Sequence, residues 1–143
     1  MNEKEAFDEL EYREVSKEYS FWFVKDGEDV EFIMSVDGLE EAEVNHLKKQ
    51  AQEFYAKIDD WIEKAKDFAV SELLTLKNEN WLDENENEIK ETEFKTRMSL
   101  TCVYFSEDEE FEFTFDDGDL FWGHEIVLDG NIEEGFMDAD IVG

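Results

Sequence analysis

His124 is the residue of this chain best suited to acid–base chemistry, because an imidazole titrates near neutrality and Asp117, Asp119 and Glu125 stand close to it in sequence. Residues 120–128 are apolar on both faces and read as a central strand, which sets His124 on the side of Trp122 and Ile126, with Glu125 opposite. No Ser or Cys lies in the strained glycine turn that activates a nucleophile. A structural histidine, bonded to a turn carboxylate or to backbone, fits these residues better than a general base. A small enzyme or cation-binding domain centred on Asp117, Asp119 and His124 is the sharper alternative. Gly123, between Trp122 and His124, marks a bulge or a close backbone approach. His46 is expected on a helix surface beside Leu47, so the two histidines do not compose a metal site.

The other polar clusters fail as chemical motifs. Asp83, Asn85 and Asn87 imitate the opening of a calcium loop, but Glu88 stands where glycine is required and Phe94 where a bidentate glutamate belongs. Asp116, Asp117 and Asp119 crowd oxygen atoms into a tight turn that reads as a solvated hairpin loop. Cys102, among Leu100 and Tyr104, is expected to behave as a small core hydrophobe with no basic neighbour to activate it. A glycine-rich phosphate loop, a Cys-x-x-Cys pair and a basic aromatic patch are all absent. The sequence therefore assigns no catalytic residue, cofactor or metal, and the reading leans away from an enzyme.

Charge narrows the partners. The net charge is −29, from 42 acidic against 13 basic residues. Residues 39–77 are nearly balanced, whereas residues 98–143 hold 14 acids and no Lys or Arg, which is half of the net charge. Such a field repels phosphate backbones and anionic membrane surfaces, so direct nucleic-acid and membrane binding are both excluded. It steers basic proteins. The candidate partner-binding residues are Glu110, Glu112, Asp116, Asp117, Asp119, Trp122 and His124, with a toxin-neutralising immunity protein as the fitting type. Mimicry of a nucleic acid, blocking a DNA-binding protein, is an alternative. Plain solubility of a Phe-rich β protein would also account for the acidity, and a homodimer could form by edge pairing of the first hairpin. One cysteine, no basic-then-apolar N-terminal stretch and no run of membrane-spanning length point to a reducing cytoplasm.

These residues need a scaffold, and the chain has the means to build one. Its 143 residues suit one domain, and 13 Phe, 4 Trp and 4 Tyr can fill a core. Asn2 and Glu5 suggest a short helix start, with Phe7 and Leu10 on one face. Residues 19–25 and 30–36 flank Asp26 and Gly27 and predict a β-hairpin, Val30, Phe32, Met34 and Val36 lining one side. From 39 to 77, apolar residues recur every three or four positions, among them Leu47, Ala51, Phe54, Ile58, Trp61 and Ala65. One helix of that length would run roughly 58 Å. A chain of this size has a radius of gyration of about 14–15 Å, so the helix must overhang, curve or break, most naturally near Val70 and Ser71. Residues 78–93 read as an exposed connection. Strands are expected at 96–105, 110–115, 120–128 and 136–142, with turns at 106–109, 116–119 and at Asp129 and Gly130. Met137, Ala139 and Ile141 share a side of the last one. The fold class is α+β: one domain over 1–143, an antiparallel sheet of about six strands (hairpin 19–36 plus a meander over 96–142) packed on one long or broken amphipathic helix.

One block carries a resemblance. The run Phe115, Asp116, Asp117, Gly118, Asp119, Leu120, Phe121, Trp122, Gly123, His124, followed by Ile126 and Val127, Asp129 and Gly130, and Ile141, Val142 and Gly143, resembles the bacterial domain-of-unknown-function family numbered 2262. The resemblance covers residues 113–143. It implies a small bacterial protein and supplies no catalytic assignment.

Overall fold

The computed structural model describes residues 7–143. The helix start expected at Asn2 and Glu5 lies outside them; Phe7 and Asp8 are helical. A short strand β1 (Glu11–Arg13) leads into β2 (Glu18–Lys25) and β3 (Glu28–Ser35). Three helices follow, α1 (Glu41–Tyr55), α2 (Ile58–Asn80) and α3 (Glu91–Arg97). The chain then closes with β4 (Ser99–Phe105), a 3-10 turn (Glu107–Glu109), β5 (Glu110–Asp116), β6 (Glu125–Asn131) and β7 (Gly135–Val142). The sheet has seven strands in sequence order, one more than expected because β1 adds to the first hairpin. Neighbours are antiparallel except β3 and β4, which run parallel because the whole helical layer crosses over between them.

Alternation decides which face each strand buries. Phe21 and Phe23, Val30, Phe32 and Met34, Val103 and Phe105, Phe111, Phe113 and Phe115, and Ile126 and Leu128 all point to the helices and are buried. Asp26 and Gly27 both have positive φ (52° and 80°), the geometry that matches hairpin twist. Phe54 of α1 stands at the centre of the core, 4.9 Å from the Phe105 ring, 5.3 Å from Phe111 and 5.4 Å from Trp61. The apolar stripe over 39–77 is thus the inner face of the helices.

Several boundaries differ from the sequence expectation. The long helix breaks at Ala56 and Lys57, not near Val70. Phe54, Tyr55, Ile58 and Trp61 are all buried at the break, and the change of axis keeps all four on the sheet where a straight rod would overhang. Ser71 instead stays helical and returns its hydroxyl to the Phe68 carbonyl at 2.8 Å. The connection after α2 is anchored: Lys77 is fully buried, and its ammonium donates to the Trp81 carbonyl (2.6 Å) and the Glu86 carboxylate (2.8 Å). Arg97 donates to the other Glu86 oxygen at 3.2 Å and to the Gly118 carbonyl at 2.9 Å. The Lys77 ammonium foremost, with the Asp83 amide and Arg97, pulls the Glu86 carboxyl down to about 2. Residues 91–97 are helical with Phe94 buried, so the following strand starts at Ser99 and not at 96. No helix among the described residues is long and apolar enough to cross a membrane.

Candidate functional site

All the helices pack on one side of the sheet, and no hydrophobic strand residue on the other side is buried. That open face is where the alternating acids of the C-terminal strands arrive. Cross-strand register sets Glu112 of β5 opposite Asp129 of β6, and Asp129 opposite Asp138 of β7. A second row pairs Asp116 with Glu125. Like charges facing each other across strands destabilise a sheet unless something offsets them. Burial first, and then the Asp138 carboxylate, hold the Asp129 carboxyl above its ordinary range. A cleft of about 350 Å³ opens there, lined by Tyr104, Ser106, Glu110, Glu112, Asp129, Met137 and Asp138. Arg13 is the only basic strand residue on this face among the described residues, and it is already engaged by Glu31 and Glu18.

A bulge in β6–β7 shapes one side of this cleft. Asp129 and Gly130, expected to be a turn, lie within β6; the register shifts between them, pairing Gly130 with Phe136 and leaving Met137 unpaired. Phe136 consequently takes the inward place expected of Met137, stacking on Phe68 and packing at a tilt on Phe111, and Met137 is exposed on the acidic side. Cys102 also belongs to this face, since a bulge after Leu100 turns it away from the core. Half-burial, then the carboxylates of Glu31 and Glu112, pushes its thiol up to about 11, which disfavours the thiolate.

The candidate residues from 117 to 124 are placed differently. The expected strand 120–128 begins only at Glu125; residues 117–124 form a chain of turns. Asp117 is buried and accepts hydrogen bonds from the amides of Asp119 (3.0 Å), Phe121 (2.8 Å) and Gly123 (3.1 Å), so its carboxylate organises the turns and does not reach solvent. Asp119 is exposed. His124 Nδ1 lies 2.6 Å from the Phe121 carbonyl, and the ring packs edge-on to Trp81. Gly123 has φ +91° with open space where a side chain would sit, so it answers a left-handed turn and no close approach. Trp122 is half exposed, leans on Trp81 at 4.7 Å, and itself holds a left-handed φ of 59°. The three residues of the acid–base reading therefore do not converge on one concavity. A cleft of about 600 Å³ lies elsewhere, between His46 on α1 and the acids of the 107–109 turn. No group of three His, Cys, Asp or Glu among the described residues is placed to hold a metal ion.

The structure thus gathers Glu110, Glu112 and Asp116 on one open face and sets Asp117, Asp119, Trp122 and His124 in the turns at its end. Asp129 and Asp138 join the first set although sequence reasoning placed Asp129 in a turn. Their signal, acids alternating with inward apolar residues along neighbouring strands, becomes visible only once the register is known.

Fold and surface together define an acidic α+β domain whose sheet is helix-covered on one side and, among the described residues, bare on the other. The sequence profile of domain-of-unknown-function family 2262, described as an uncharacterized protein conserved in bacteria, matches residues 4–141, and the chain belongs to that family. Comparison with curated proteins and with solved structures finds no match.

Proposed function

We propose that this bacterial protein is a non-enzymatic binding module whose bare acidic sheet face docks a basic protein, in the manner of an immunity protein capturing a cationic toxin in the cytoplasm. The observation that supports it is the row Glu112, Asp129 and Asp138, carboxylates opposed across three adjacent strands on an uncovered face. Alone, that row works against the fold; a cationic surface laid on it offsets the repulsion and gains from steering. Trp122 at the end of the sheet and Met137 beside the row supply exposed apolar area of the kind that anchors interfaces.

Poly-L-lysine is a suitable probe, followed by stopped-flow fluorescence at low and high salt. Reversing Glu112→Lys and Asp129→Lys should slow association about tenfold, whereas the same change of net charge on the helical layer, Glu53→Lys with Glu72→Lys, should slow it far less. Equal slowing by the two pairs would assign the effect to net charge alone and end the face reading.

A further inference from the structure

The two edges of the sheet are not alike. β2 is eight residues long but its outer neighbour β1 only three, and the pairing between them ends at Ser20. Beyond it, among the described residues, 21–25 have no strand on their outer side and no loop or helix backbone bonded to them, while Phe7 packs on Phe21 at 5.0 Å between rings. Their side chains alternate: Phe21 and Phe23 are buried beneath, while Trp22 is 55% and Val24 67% exposed on the open face. The opposite edge, β7, exposes Asp138 and Asp140, charges that discourage an added strand. Residues 21–25 have no carboxylate of their own, yet Trp22 is paired with Glu31, Val24 with Asp29 and Lys25 with Glu28 on β3.

We infer that residues 21–25 are a strand-addition site that takes an extended cationic segment of the basic partner; this rests on the binding role proposed above and specifies how the partner engages. An added strand hydrogen-bonds to the outer edge of β2 at residues 21–25, and its alternate side chains fall on the open face beside Trp22 and Val24. Lysine or arginine suits those places: the stems cover the indole, the charged heads lie over its ring, and Asp29 stands one strand away, while Glu31 is held by Arg13. The intervening residues continue the apolar side begun by Phe21 and Phe23. A second copy of the chain fits poorly, because each brings a net charge of −29 to the contact.

The test uses the full chain and two synthetic peptides of equal charge, an alternating Lys-Val heptapeptide and its counterpart with every backbone amide N-methylated. The unmodified peptide should bind about tenfold tighter than the methylated one, and Trp22→Ala should remove about that advantage while leaving the methylated peptide unaffected. Trp22 is exposed, so the variant should keep the wild-type circular dichroism. Equal binding of the two peptides, or indifference to Trp22→Ala, overturns strand addition. If both peptides are then weakened alike by Glu112→Lys with Asp129→Lys, the acidic-face reading survives that result. Failure of both peptides to bind at low salt overturns the two readings together. Sedimentation showing a dimer that Trp22→Ala dissolves would put a second copy on this edge and likewise overturn the proposal.

Discussion

Lys77 is a charged side chain with no exposure, tolerable because the Glu86 carboxylate and the Trp81 carbonyl accept its hydrogen bonds. Replacing the carboxylate by an amide leaves that ammonium buried against neutral oxygens with no compensating charge. Glu86→Gln should therefore cost about 2–3 kcal/mol in urea unfolding, below the full value for a buried pair because Glu86 itself reaches solvent. The pH dependence has a definite sign. A carboxyl held at about 2 against an ordinary 4.5 contributes stability that is complete above pH 4.5 and disappears as pH falls from 4.5 through about 2. The difference in stability between wild type and Glu86→Gln should shrink over that window.

The C-terminal strands depend on one irregularity for the face they present. Gly130 is buried because the backbone of Gly135 crosses where its side chain would be. That approach holds the β6–β7 bulge, which sends Phe136 inward to Trp61, Phe111 and Phe113 while keeping Asp138 in the row with Asp129. Gly130→Ala forces the two strands apart and should cost about 1–3 kcal/mol by thermal or urea unfolding. The amides of residues 136–140 should lose hydrogen-exchange protection before those of β3 and β4. Uniform loss over the whole sheet would show that the bulge is not a local device.

Across the whole molecule, an excess of 29 negative charges sits on a folded body and repels itself. Salt screens such repulsion, with a Debye length of about 10 Å at 0.1 M. The urea midpoint should therefore rise between low salt and about 0.5 M sodium chloride. Glu112→Lys, which relieves the opposed row, should flatten that rise more than Glu53→Lys on α1, where bases are interspersed. Equal flattening would mean that the acids act as a diffuse cloud and that the sheet face carries no special density.

The sequence by itself determined the α+β class, the hairpin at Asp26 and Gly27, the inward Phe111, Phe113 and Phe115, and the inner stripe of the helices, because alternation and 3.6-residue periodicity are local properties of the chain. It also determined that the acids without bases lie in the C-terminal strands. Local pattern does not tell how elements fit one another, and the remaining features were decided there. The helix break at Ala56 follows from the length of the sheet beneath it, and the anchored connection after α2 from a lysine that meets its carboxylate nine residues on. Residues 120–124 look like a strand because they are apolar, yet the buried Asp117 gathers three of the amides around them into turns. Whether carboxylates on neighbouring strands stand opposed or apart depends on register, and register is fixed by turns and bulges far from the acids themselves. Only the tertiary structure could place Glu112, Asp129 and Asp138 side by side on the face away from the helices.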